Sequence, residues 1–139
     1  MQYKKFGKTI VIRMDKGEEV VSSLKSICQK EDIKLASVSA IGAVNDITVG
    51  VFNPDTKQYK SNRFTGNFEI VSLSGTVTTM KGIPYIHLHM SVGDGNGKVF
   101  GGHLNEAKIS ATCEMVITLI EGEVEREYSE EIGLNLFKF

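Results

Sequence analysis

The stretch Tyr85–Leu104 reads YIHLHMSVGDGNGKVFGGHL. Tyr85 to Val92 alternates, with Ile86, Leu88 and Met90 on one side and His87 and His89 on the other. A period of two is that of a strand with one buried face. Asp94-Gly95-Asn96-Gly97 is a strong hairpin signal, and Lys98 to Phe100 continues on its far side. A chain that doubles back through a tight turn pairs antiparallel, so this stretch points to a sheet built from hairpins.

The neighbouring sequence extends that sheet. Phe68–Thr79 is long and rich in β-branched residues, and Gly82 to Pro84 reads as a turn leading into Tyr85. Upstream, Thr9–Met14, Leu35–Ala43 and Ile47–Phe52 read as strands, the last two separated by Asn45-Asp46, a turn pair. Gln58–Asn62 is a weak edge candidate. Downstream, Cys113–Ile120 reads as a buried strand, Glu123–Tyr128 as an exposed one with alternating charges, and Leu134–Phe139 as a last edge strand. One segment changes period. Val20, Val21, Leu24, Ile27 and Cys28 recur at helical spacing, with Asp15 as the expected N-cap, Glu18 at capping-box distance and an end near Glu31. The expected class is α+β, a largely antiparallel sheet with one main helix packed on it. Two prolines and no Ser/Gly/Pro-rich linker predict a single domain over residues 1–139.

Composition narrows the function classes. An apolar fraction of 41% with 24% charged residues is that of a globular protein with its own core. No apolar run approaches the ~20 residues of a membrane helix. Met1 to Lys8 carries no apolar leader pattern, so the expected compartment is cytoplasmic. Sixteen basic against 17 acidic side chains leave a net charge of −1. That balance disfavours a module that holds DNA through its phosphates. Cys28 and Cys113 lie far apart in apolar runs without CxxC spacing and are expected as reduced core residues.

All three histidines fall between positions 87 and 103. His87 and His89, at i and i+2, point the same way from one strand. The hairpin returns His103 beside them. Three neutral imidazoles converging on one point suit Zn²⁺ and leave a fourth position for water or a ligand. Glu114 interrupts the apolar run Cys113–Ile117. It is a candidate fourth ligand, partner of a histidine or general base, and equally a sheet-face carboxylate meeting solvent. Arg13 and Glu69 are charges where the pattern expects apolar residues; an ion pair between them is one account and edge exposure the other. The GDGNG run has neither the GKS/GKT of a phosphate loop nor the later Glu of a calcium loop. No nucleophile elbow is present.

Several segments taken together resemble the plants and prokaryotes conserved (PPC) domain. They are Ser39-Ala40-Ile41-Gly42-Ala43, the run from Gly66 through Phe68-Glu69-Ile70-Val71 to Gly75, His87-Leu88-His89, Gly101-Gly102-His103-Leu104 and Ala111-Thr112-Cys113-Glu114. The resemblance runs from about Arg13 to Gly133. It implies an antiparallel sheet flanked by a helix, a homotrimer, and metal binding at His87, His89 and His103, the positions that bind a metal in prokaryotic relatives. In plant relatives the domain follows an RGRP-type AT-hook and the proteins are called DNA-binding; no such segment occurs in this sequence. Their GRFEIL-type partner motif corresponds to Gly66-Asn67-Phe68-Glu69-Ile70-Val71, with Asn67 in place of the arginine. The expectation is a zinc-binding PPC module with DNA or a regulatory partner implied by the family. Two alternatives stand beside it: a metal-dependent enzyme or small-ligand binder using the open position, and an oligomer whose histidines only order an interface. The lack of a second acid/base pair weighs against the enzyme.

Overall fold

The computed structural model describes residues 1–139. In chain order it has strands β1 (Gln2–Phe6) and β2 (Thr9–Asp15), helix α1 (Val20–Lys30), then β3 (Ala36–Asn53), β4 (Gln58–Met80), β5 (Ile83–Gly93), β6 (Val99–Leu119), β7 (Glu125–Ser129) and β8 (Leu134–Lys138). The eight strands form one sheet in the order β1-β2-β6-β3-β4-β7-β8, with β5 pairing both β4 and β6. β3, β4, β5 and β6 therefore close on one another, each paired to two others of the set. Every pairing is antiparallel except a single parallel bridge, Thr79–Glu125, which attaches the β7–β8 hairpin to β4.

The antiparallel sheet with one helix is as expected, but its strands are longer than their local signals. The predicted strands 35–43 and 47–52 are one strand, β3. Asn45-Asp46 makes no turn there; it marks a register shift between Val44 and Asp46. A bulge absorbs the extra residue without breaking the ladder, and Asp46 then accepts two bonds from Arg63 on β4, at 2.8 and 2.6 Å. The edge candidate 58–62 and the strand 68–79 likewise fuse into β4, and 98–100 and 113–120 into β6. β1, an exposed edge strand with two lysines, has no alternation to announce it.

Helix α1 lays Val20, Leu24, Ile27 and Cys28 against the sheet, all buried. Its start corrects the sequence reading, for the N-cap is Glu19 and not Asp15. The Glu19 carboxylate accepts from the amides of Val21 (2.9 Å) and Ser22 (2.7 Å), and also from Ala107 on β6 (3.1 Å). Glu18 instead turns back to the Asp15 amide at 2.6 Å. The reason is tertiary. Gly17 and Glu18 are tied to the Ile109 main chain at 2.9 and 3.0 Å, so the chain cannot begin coiling until it has left β6. Beneath the helix, Ile10, Ile12, Met14, Leu88, Met90, Met115 and Ile117 belong to one continuous apolar cluster. Cys28 and Cys113 lie in it, unpaired and buried, and burial pushes their thiols up to about 12 and about 11. No helix is long and apolar enough to cross a membrane.

Candidate metal centre

The hairpin expected around Asp94–Gly97 is present. Asp94 Oδ1 accepts from the amides of Asn96 (2.8 Å) and Lys98 (2.9 Å), and Gly97 supplies the positive φ of +75° that the turn needs. It sets β5 and β6 in a register that pairs His89 directly with His103. Leu88 and Met90 are buried on the core side of β5, which turns His87 and His89 outward together. The three rings converge: centroids are 5.2 Å apart for His87–His89, 5.1 Å for His87–His103 and 5.7 Å for His89–His103. One ligand atom from each lies within 4.8 Å of the others.

Gly101 and Gly102 make this approach feasible. A Cβ on Gly101 would land on the Met90 carbonyl oxygen and 2.8 Å from Ser91 Cα, and one on Gly102 would sit 2.6 Å from the Gly50 carbonyl oxygen of β3. Any side chain at these positions would hold β6 off its two neighbours just before His103.

The surroundings favour the uncharged form of His87 and His103. Burial, and then the nearby His103, Arg126 and His89, push His87 down to about 4. Burial, and then His89, also lower His103. A metal binds the neutral ring, so these two rings already favour their ligating form. Tyr59 sets its ring edge-on to His103, centroids 6.0 Å apart, and donates from its hydroxyl to Asn105 Oδ1 at 2.6 Å.

The histidines stand in a cleft of about 1010 Å³ that extends to the β7–β8 hairpin. The hairpin contributes a residue that the sequence reading missed. Arg126 is only 8% exposed, although the alternating charges of 123–128 suggested an exposed strand. Its guanidinium lies between the rings of Tyr85 (4.6 Å) and Phe137 (4.5 Å). Nε donates to Thr78 Oγ1 and Nη1 to the Asn135 carbonyl, both at 2.8 Å, while the buried Nη2 has no partner. No local signal marks it, since Tyr128 on the same strand face is exposed.

The other candidates lie elsewhere. Glu114 is exposed on β6, opposite Arg13 of β2 on one side and Ile41 of β3 on the other, and is neither in the histidine cluster nor in the cleft. Arg13 and Glu69 do not meet: Arg13 Nε bonds Asp15 at 3.1 Å, and Glu69 is exposed on β4 between Ala43 and Gly93.

Comparison with known proteins agrees with this architecture. A Bacteroides thetaiotaomicron protein, described provisionally as DNA-binding, superposes with a TM-score of 0.97 at 32% identity, over 99% of this chain and 96% of its own. An Archaeoglobus fulgidus protein described as metal-containing gives 0.90 at 32% identity, over 100% and 99%. The bifunctional protein GlmU of a Synechococcus strain is 27% identical over 108 residues, 76% of this chain, which spans only 16% of that protein's length. Residues 1–121 match the Plants and Prokaryotes Conserved (PCC) domain, the family to which this chain belongs.

Proposed function

We propose that this protein is a single-domain, homotrimeric zinc-binding module that holds a small ligand beside its metal. One observation carries the reading: three imidazoles from two paired strands offer ligand atoms within 4.8 Å of one another at the wall of a cleft. Three neutral nitrogen donors without a thiolate or carboxylate fit Zn²⁺, and three protein ligands leave one position open to the cleft. His87 and His89 would bind from β5 and His103 from β6. When bound, the metal supplies a Lewis acid able to polarise a ligand oxygen. The description of the Archaeoglobus relative as metal-containing supports the assignment.

No Asp or Glu lines the cleft, so it offers no carboxylate general base, and binding is the reading favoured. The family resemblance supports the trimer. So do exposed apolar residues around the Phe64–Phe100 contact, where the ring centroids are 4.6 Å apart and Val71 and Val99 are more than half exposed. Metal analysis of protein purified without an affinity tag or chelator should find about one zinc per chain, and light scattering about three times 15.3 kDa. Protein free of any divalent metal that also fails to take up added zinc would overturn the metal reading. A stable monomer would overturn the trimer.

A further inference from the structure

We infer that the cleft is a site for a small organic carboxylate with an apolar body, and that Arg126 receives its carboxylate. The inference deepens the ligand-binding reading above and rests on it in part.

Arginine is rarely buried without an acidic partner. Arg126 is buried with none: its partners are a hydroxyl and a carbonyl, and Nη2 is unbonded. A buried N–H without an acceptor is costly unless something else supplies one. No neighbouring group does so for Nη2, and no carboxylate lines the cleft to balance the charge. With zinc on the histidines, the metal's two charges and Arg126's one would share a cleft without an anion to balance them. A buried excess of positive charge calls for an anionic ligand. Guanidinium matches carboxylate in geometry and can give it two parallel bonds.

The remaining walls specify the rest of the ligand. Val51, Phe52, Tyr59, Leu134, Leu136 and Phe137 face the cleft, which suits an aromatic or branched aliphatic body and not a polyol or a polyphosphate. Nη2 is buried behind its aromatic clamp, so part of that clamp must yield on binding. Phe137 is the movable side, carried on a hairpin whose ladder contact with the rest of the sheet is the Thr79–Glu125 bridge alone.

The test is calorimetry and thermal melting of the zinc-loaded and zinc-free full chain with phenylacetate and isovalerate. Phenylacetamide serves as the uncharged isostere and inorganic phosphate as the bare anion. At ten times its Kd, either acid should raise Tm by about 5 °C, while the amide and phosphate should not. Arg126→Met should weaken acid binding at least about tenfold, as expected for loss of a charge-assisted bond, without weakening zinc uptake. Equal binding of acid and amide, equal binding of phosphate, or an undiminished response in Arg126→Met would overturn the assignment. If that variant does not fold, the acid–amide comparison on the wild type decides alone. Acid binding in protein that takes no zinc would sink the metal reading and leave this one standing. Zinc uptake with no response to either acid would do the reverse.

Discussion

Replacing Gly101 by alanine tests whether close strand approach is what assembles the histidines. Gly101 faces Ser91 across the β5–β6 ladder, two residues before His103. Its new Cβ would lie 2.8 Å from Ser91 Cα, where ordinary contact begins near 3.4 Å, and would overlap the Met90 carbonyl oxygen. Both obstacles are main chain and cannot rotate away. β6 must therefore retreat by at least about 0.6 Å beside the ring it carries, whereas zinc–nitrogen distances tolerate only about 0.2 Å. Overpacking of this kind costs about 2 kcal/mol, which for a domain of this size lowers Tm by about 6–10 °C. Zinc affinity should fall by at least about tenfold, since the ligand geometry no longer closes. Differential scanning calorimetry and competition with a chromogenic chelator would measure the two effects. Gly95→Ala is the control: a Cβ there meets nothing within 4 Å and it should leave both readouts unchanged. Gly101→Ala protein with wild-type Tm and wild-type zinc affinity would refute the idea that GGHL is a packing requirement for the site.

His89→Ala should release the metal, while Cys28→Ala and Cys113→Ala should retain it at some cost in stability; metal content after gel filtration decides. The metal-free protein should lose stability as pH falls from 6.5 toward 4, because the unfolded chain takes up a proton that folded His87, held near 4, refuses. That loss is at most about 3 kcal/mol and about 1 kcal/mol after allowing for the ring's partial exposure. Melting in EDTA at pH 7.5 and 5 should show it, His87→Asn should flatten it, and a pH-independent Tm would contradict the burial argument. Glu19→Ala removes an acceptor of three amides and should cost about 1–2 kcal/mol, read from urea unfolding; Asp15→Ala, off the cap, should cost less. Duplex DNA should bind no better than about 10⁻⁶ M and lose affinity steeply with salt. A sequence-specific complex surviving about 0.2 M salt would return DNA to the list of partners.

What the sequence made legible was whatever depends on neighbours a few residues away. The alternation of Tyr85–Val92, the Asp94–Gly97 turn and the helical spacing from Val20 to Cys28 are local, and each became the expected element. The shared direction of His87 and His89 followed from period two alone. His103 joining them required only a hairpin register. The fusions within β3, β4 and β6 were hidden because a bulge keeps a ladder going where a turn residue suggests an end. The helix cap moved because a contact with Ile109 on β6 holds Glu18.

Two misplaced charges show where local reading stops. Glu114 stands out in the sequence because the apolar run around it reads as a buried strand. On β6, however, Cys113, Met115 and Ile117 are buried while Glu114 and Val116 are exposed, so the run is a one-sided strand and a carboxylate on its open face has no special standing. Arg126 has no such signal because the alternating charges of its segment read as an exposed strand. Its position is closed by Tyr85, forty-one residues earlier in the chain, and by Phe137 on the next strand. The same feature, a charge at a strand position, is unremarkable in one case and carries the ligand argument in the other. What separates them is how many faces of the strand the rest of the molecule covers, a property of the closed sheet and its terminal hairpin that no window of sequence contains.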